Sequence, residues 1–439
     1  MSKTRKRIAL GAGAAALIAA AGIGIWGHRA LDTSRSAVAD ATVQLADVRS
    51  ADRAAIRRGE YVMRAADCAA CHNGTKGVFA GGYRFDTNFG TVLSSNITPD
   101  RKTGIGTMTE RAFFNAVRHG QGSKGLLYPA MPYTAYARLT DRDMHDLWAY
   151  MSTVAPISNA VDENAGMMFP FNIRLALAGW DMLFFDPAPY RPTAGRSAEW
   201  ERGRYLVDGG GHCSVCHSPR NMLGAEKQSR YLEGARIGFW HAPDLTANAH
   251  VGLGRDTDAD IVEYLKTGGN RTAIAAGPMA EVVEHSLQYL SDADLTAMAI
   301  YLKSLPASNN PRPDPIGAEP PAMKRAALRY EVNCSACHGV RGEGMGDMVP
   351  PFAGNQALQS ADASSLIQVM LVGGRAASTH HKPTGAGMPS FAWKMDDRQI
   401  AETLDYVRNS WGNAARPVRE ADVARMRKAA SAATSLPAN

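Results

Sequence analysis

"CSACH" occupies residues 334–338, "CAACH" residues 68–72 and "CSVCH" residues 213–217, and together they use all six cysteines of the chain. On a helical turn, positions i, i+3 and i+4 share one face. Each stretch therefore presents two thiols and an imidazole together: Cys68, Cys71 and His72; Cys213, Cys216 and His217; Cys334, Cys337 and His338. Two thiols so placed can form thioethers with the vinyl groups of a haem, and the adjoining imidazole can bind its iron, which is the attachment signature of haem c. Zinc ribbons need two CxxC pairs per metal and no histidine after each. A thioredoxin-like dithiol needs one CxxC in a βαβ setting, which is lacking here. Histidine is 12 of 439 residues, so three chance placements directly after a CxxC would arise about once in 50,000. The expectation is three covalently bound haems c.

Working outward, each CxxCH follows a short helical stretch, "RAAIRRGEYVMRAAD", "AEWERGRYLVDGGGH" or "AMKRAALRYEVN". Each repeat closes on a second one, "LTDRDMHDLWAYMSTV", "LSDADLTAMAIYLKSL" or "MDDRQIAETLDYVRNS". Ser291 with Asp294 three residues on reads as a helix-start capping box. Tyr150, Tyr301 and Tyr406 hold equivalent places in the closing helices, and Gly59 and Gly203 in the first two opening helices. A small residue facing an aromatic lets two helices cross closely; the third repeat lacks that glycine. The tyrosines read as core.

This self-similarity predicts an all-α chain of three tandem class I cytochrome c domains at residues 52–158, 195–308 and 318–415. "PASNNPRPDPIGAEPP" at 306–321 reads as a stiff spacer, with 309–317 as the linker proper. The linker 159–194 is different. "MMFPFNIRLALAGWDMLFFDPAPY" is too apolar for a solvated tether, so it must pack on its own domains, on a partner or on a bilayer. The tail, 416–439, reads as a surface helix or disorder.

Lys3, Arg5, Lys6 and Arg7 precede an uncharged run, "IALGAGAAALIAAAGIGIW". A basic segment followed by an apolar one is an export signal, so residues 1–39 read as a signal peptide or anchor, with an A-x-A cleavage site after Ala39. The remainder is expected on the periplasmic side, where free thiols would oxidise. A formal charge of +6 is mild and partly reflects the first seven residues, so it does not argue for nucleic acid.

A haem held by one histidine has a second axial position, and methionine is its usual occupant in electron carriers. Of 19 methionines, three adjoin proline: Met131, Met279 and Met388, lying 59, 62 and 50 residues after His72, His217 and His338. Proline fixes the backbone and removes a donor, giving a loop that presents sulfur rigidly. His119, His145, His241, His285, His380 and His381 are the alternatives, although lone histidines are usually plain polar residues.

At this point the residues match a family. "FAGGYRFDTNFGTVLSSNITPD", "YPAMPYTAYARLTDRDMHDLWAYM", "FPFNIRLALAGWDMLFF" and "GPMAEVVEHSLQYLSDADLTAMAIYLKSLP" resemble the triheme cytochrome c subunit of bacterial membrane-bound dehydrogenases, over roughly residues 52–412. The resemblance implies a partner that is a quinoprotein, flavoprotein or molybdenum dehydrogenase. It implies electron delivery to ubiquinone at the periplasmic face of the inner membrane, and axial pairs His72–Met131, His217–Met279 and His338–Met388. Nothing in the chain suggests a substrate-oxidising site of its own. The competing readings are a cytochrome subunit feeding a terminal oxidase and a peroxidase-like catalytic cytochrome.

Overall fold

The structure is a computed structural model describing residues 42–49 and 52–434; the expected export segment, 1–39, lies outside the described residues. The fold is mostly helical, with small antiparallel hairpins. The chain divides into two compact units. Cys71–Arg191 belongs to the first together with the chain up to Met63, and Pro192–Asn439 to the second together with Arg64–Ala70.

The first unit holds most of helix α1 (Arg53–Ala65), which leads into the one-turn helix α2 (Cys68–His72). A hairpin of strands β1 (Arg84–Thr87) and β2 (Gly90–Leu93) follows, then α3 (Glu110–His119) and α4 (Asp141–Met151). Threonines start both later helices: Thr109 accepts from the Ala112 N–H and Thr140 from the Asp143 N–H, satisfying donors that the first turn leaves open. Helix α4 buries Met144, Leu147, Trp148 and Met151, one face at helical spacing. It crosses α1 at Gly59, where a Cβ would lie 1.8 Å from the Asp146 carbonyl oxygen and 2.8 Å from the Tyr150 Cβ. Arg58 clamps the crossing through both oxygens of the buried Asp146 carboxylate, at 2.7 and 2.8 Å.

The aromatic linker packs on this unit through helix α5 (Leu177–Phe184). Tyr133 donates to Asp181 at 2.6 Å, and the Tyr133 and Phe185 rings meet edge to face at 5.2 Å. Arg174 reaches the Leu126 carbonyl and Glu163. Arg174 and Asp181, the two charges between Met168 and Leu183, are thus turned inward. Met168, Phe169, Phe171, Ile173, Leu175, Met182 and Leu183 remain exposed. Own-domain packing therefore accounts for only one side of the linker.

In the second unit, α6 (Ala198–Tyr205) runs through a π-turn, Leu206–Gly210, into α7 (Cys213–His217). Strands β3 (Ala235–Ile237) and β4 (Trp240–Ala242) precede α8 (Asp258–Thr267), α9 (Pro278–His285) and α10 (Asp292–Lys303). Gly203 repeats the close crossing, with a Cβ 1.8 Å from the Ala297 carbonyl oxygen and 3.0 Å from the Tyr301 Cβ. Ser291 caps α10 through the Asp294 N–H, while the Asp294 carboxylate takes a two-point bond from Arg202. Full capping boxes occur instead at Thr257–Asp260 and Asp396–Gln399.

The last repeat holds α11 (Pro321–Asn333), α12 (Ser335–His338) and α13 (Ser364–Val372), then strands β5 (Gly374–Arg375) and β6 (Gly387–Met388), then α14 (Asp397–Asn409) and α15 (Glu420–Thr434). Helix α15 is the surface helix, one of the two alternatives expected of the tail, docked along one side. Its Val423 and Met426 are buried in the cluster formed by Ile367, Leu371, Ile400 and Leu404. An i, i+3 apolar pair within an Ala/Arg-rich stretch suffices to dock it.

Candidate haem-attachment sites

Each CxxCH lies on a single helical turn, as the spacing predicts. Asp67 and His212, immediately before the first two turns, adopt positive φ angles of 49° and 38°. This left-handed step ends the opening helix and starts the next turn. At the third site Cys334 is itself the residue at the helix start, with φ −122°.

The histidines are prepared as neutral ligands. His72 and His217 are buried. The Nδ1–H of His72 donates to the Ser95 carbonyl at 2.8 Å, and that of His217 to the Pro243 carbonyl at 2.7 Å. A carbonyl only accepts, so the proton sits on Nδ1 and the Nε2 lone pair is left for a metal. Burial pushes the His217 imidazole down to about 4 and that of His72 below its ordinary value. His338 is supported differently. Its buried Nδ1 has no protein partner, and its ring stacks on Phe352 at 4.4 Å.

All six thiols are free of disulfides. Burial, reinforced by the neighbouring carboxylates Asp67 and Asp208, pushes Cys68 and Cys213 up to about 12. Burial likewise takes Cys216 and Cys334 to about 11. As free thiols these are protonated, and paired on one turn they are available for thioether formation. A buried imidazole with a directed Nδ1–H at 72 and 217, beside paired thiols on one turn, fits haem c.

The methionines occupy three different local structures. Met131 ends a turn, its N–H donating to the Tyr128 carbonyl at 2.9 Å. Met388 lies in strand β6. Met279 is the second residue of α9, behind Pro278 at the helix start, and so departs from the rigid loop expected of all three. The first-turn N–H groups of a helix have no intrahelical acceptor anyway, so proline fits there. All three side chains are half-buried.

A middle helix and its glycine stop were missed in the sequence. Helices α3, α8 and α13 end at Gly120, Gly268 and Gly373, with φ of 64°, 81° and 82°, a conformation that favours glycine. Met131 and Met279 each follow their glycine by eleven residues. The "VRHGQG", "LKTGGN" and "LVGGRA" stretches carried that signal. In the second repeat a chain of contacts joins histidine to methionine. The acceptor carbonyl of Pro243 adjoins strand β4, and the Trp240 ring of that strand lies where a Cβ of Gly277 would be, at 2.5 Å. Gly277 precedes the Pro278–Met279 pair. In the third repeat Leu366 packs against two core clusters: that of Tyr330, Leu358 and Val407, on which Cys334 and Phe352 also lie, and that of Ile367, Ile400 and Leu404, on which Met388 also lies.

Two of the alternative histidines make other contacts. His145 is exposed and bonded to Glu110 at 2.6 Å, and His380 donates its backbone N–H to Gln288 at 3.0 Å. The loops "SSNITPD" and "HAPDLTAN" are equivalent as read. Asn96 donates to the Ile157 carbonyl and Asn248 to the Ser308 carbonyl, each pinning its loop just beyond the closing helix.

Comparison with known proteins agrees. A profile described as "Cytochrome c" matches residues 200–306 and 323–411, and one described as "Cytochrome C oxidase, cbb3-type, subunit III" matches 54–151. The chain is 41% identical over 393 residues to the fructose dehydrogenase cytochrome subunit of Gluconobacter japonicus, covering 83% of this chain and 81% of that one. This chain belongs to the cytochrome c subunits of bacterial dehydrogenases. Within that family it is also 40% identical over 408 residues to the gluconate 2-dehydrogenase cytochrome c subunit of Pantoea cypripedii, covering 88% and 92% of the two chains. To the quinone-type alcohol dehydrogenase cytochrome c subunit of Gluconacetobacter polyoxogenes it is 39% identical over 404 residues, covering 87% and 86%. As a member of this family it is an electron-transfer cytochrome with covalently bound haem c, working beside a catalytic dehydrogenase subunit. The oxidase-subunit and peroxidase readings are not favoured.

Proposed function

We propose that the chain carries three haems c in three domains, spanning 52–158, 195–308 and 318–415, joined by linkers 159–194 and 309–317. The attachment pairs are Cys68/Cys71, Cys213/Cys216 and Cys334/Cys337, and the axial pairs are His72–Met131, His217–Met279 and His338–Met388. Together they relay electrons from a quinoprotein, flavoprotein or molybdenum dehydrogenase to ubiquinone at the periplasmic face of the inner membrane, after export directed by residues 1–39. The observation that carries this reading is the recurrence, at 72 and 217, of a buried histidine with its Nδ1–H directed to a carbonyl on the loop that follows.

When bound, haem supplies reversible one-electron chemistry at its iron. The protein's share is support. The carbonyls of Ser95 and Pro243 hold each ring's orientation and tautomer and raise its basicity. Gly59 and Gly203 bring the opening and closing helices into backbone contact, which fixes the attachment turn. The uncharged outward face of 168–183 supports a membrane location. Among the described residues no helix is long and apolar enough to cross a membrane, so this face would lie on the bilayer rather than span it.

Intact-mass spectrometry of the mature protein tests the haem count. The expected result is the polypeptide plus three haem masses; two or fewer overturns the three-centre relay. Membrane location is tested with Phe169→Ser combined with Leu183→Ser, which should release the protein from membranes while leaving haem content unchanged.

A further inference from the structure

The segments bearing Met279 and Met388 are parts of one hydrogen-bonded patch. Ala276 pairs with Ala376 as an antiparallel bridge, and the Ala377 N–H donates to the Ala275 carbonyl at 3.2 Å. On its other side, the Ala376 N–H donates to the Ala386 carbonyl at 2.8 Å, and Gly374 and Arg375 pair with Met388 and Gly387. The backbone three residues before Met279 is thus joined, through 374–377, to the strand that contains Met388. The space is tight: a Cβ on Gly268, the stop of α8, would lie 2.7 Å from the Ala377 Cβ.

One carboxylate fastens this patch from the side. Glu284 lies on α9, five residues after Met279. Its Oε1 accepts the Ser378 N–H at 2.6 Å and Nη2 of Arg375 at 2.9 Å. Its side chain is 17% exposed, so water competes weakly for it. Charge-assisted hydrogen bonds of this kind are about twice as strong as neutral ones. Gln288, one turn further on, accepts the His380 N–H at 3.0 Å, extending the same fastening.

We propose that Glu284 is a positioning residue that locks the Met279 and Met388 segments into one rigid piece, so that the sulfur ligands of the second and third haems are set together. The proposal rests on the reading of Met279 and Met388 as iron ligands. Although Glu284 belongs to the second repeat, its loss reaches the third. Without it the Ser378 N–H loses its acceptor and the Arg375 guanidinium keeps only the Ser378 hydroxyl, so 374–378 is tied to α9 by backbone pairing and, further on, by the Gln288–His380 hydrogen bond.

The test is redox titration of the purified holoprotein, together with the long-wavelength charge-transfer band of sulfur-ligated ferric haem. Glu284→Ala should weaken the band and lower the midpoints of two centres while leaving the first unchanged, because losing thioether ligation lowers the potential. Glu284→Gln keeps an acceptor for the Ser378 N–H but loses the ion pair. It should shift the same two centres by less, and it serves as the readout if the alanine variant misfolds. A shift confined to one centre, or loss of thermal stability with band and midpoints unmoved, overturns the lock. Met279→Ala and Met388→Ala separate the two failures. If each removes one centre's share of the band while both Glu284 variants spare it, only the lock falls. If neither methionine variant changes the band, the ligand assignment falls and takes the lock with it.

Discussion

The first two attachment sites and the third carry the same CxxCH pattern but are supported by different physics. At the first two, a glycine brings the opening and closing helices into backbone contact, an arginine one residue earlier clamps the crossing, and a loop carbonyl holds the histidine. At the third, the crossing is held by Arg325 and Arg329 on Glu402. Its core is aromatic: Tyr330 packs on Tyr406 at 5.6 Å and Trp411 at 5.2 Å, and Phe352 stacks on the histidine. Cys337 is exposed there, whereas the other five thiols are half-buried. The attachment chemistry constrains five residues tightly and leaves their support free to vary. Potential, stability and access can therefore differ among centres that look identical in the chain.

Four experiments press on this contrast. The largest expected effect is Met388→His, which should lower the third centre's midpoint by on the order of 0.1 V or more, since imidazole stabilises ferric iron better than thioether does. An unchanged titration removes Met388 as a ligand. Next, Gly59→Ala and Gly203→Ala each force a methyl group into a carbonyl oxygen and should cost about 3 kcal/mol, the upper end of overpacking, in denaturant titrations. A cost below about 0.5 kcal/mol, the range of neutral surface changes, would mean that the glycine crossing is no tighter than the third repeat's.

The third experiment concerns pH. Burial pushes Asp181 in the linker up to about 6, despite its hydrogen bond from Tyr133, and burial does the same to Asp405 in α14. A carboxyl whose folded value is raised contributes stability that is complete below its unfolded value near 4 and is lost as pH rises through about 6. Asp181→Asn and Asp405→Asn should each flatten the melting-temperature profile between pH 4 and 6. A profile identical to the parent's would show that the carboxyl in question is solvated. The smallest effect belongs to Glu402. Burial raises it, but hydrogen bonds from Arg325 and Arg329 outweigh burial and hold it below the usual glutamate range. Its contribution is present above the unfolded value and lost as pH falls through the folded one. Glu402→Gln should therefore destabilise slightly at neutral pH and not at all in strong acid, as melting curves at the two pH values will show.

Much of this was legible in the chain because covalent chemistry writes itself in fixed spacings. The three CxxCH turns and the closing helices follow from residues a few positions apart, and the crossings at Gly59/Tyr150 and Gly203/Tyr301 show because the same pair recurs in two repeats. What escaped depends on residues far apart in sequence. The carbonyls of Ser95 and Pro243 carry no side-chain mark at all. Trp240 meets Gly277 only after the hairpin folds back. The docking of the tail helix through Val423, Met426 and Arg427 escaped because its partners, among them Ile367, Leu404 and Asp397, lie far back in the chain. Met279 departs from the loop expectation because proline, which ends helices, also fits the first helical position, where Pro278 stands.

The linker's outward face has a practical side. Seven large apolar side chains between Met168 and Leu183 face water in the isolated chain, with no outward charge among them to keep two copies apart. Concentrated stocks will self-associate through this strip unless a mild detergent or lipid coats it, and apparent oligomers in plain buffer should dissolve once such a coat is supplied.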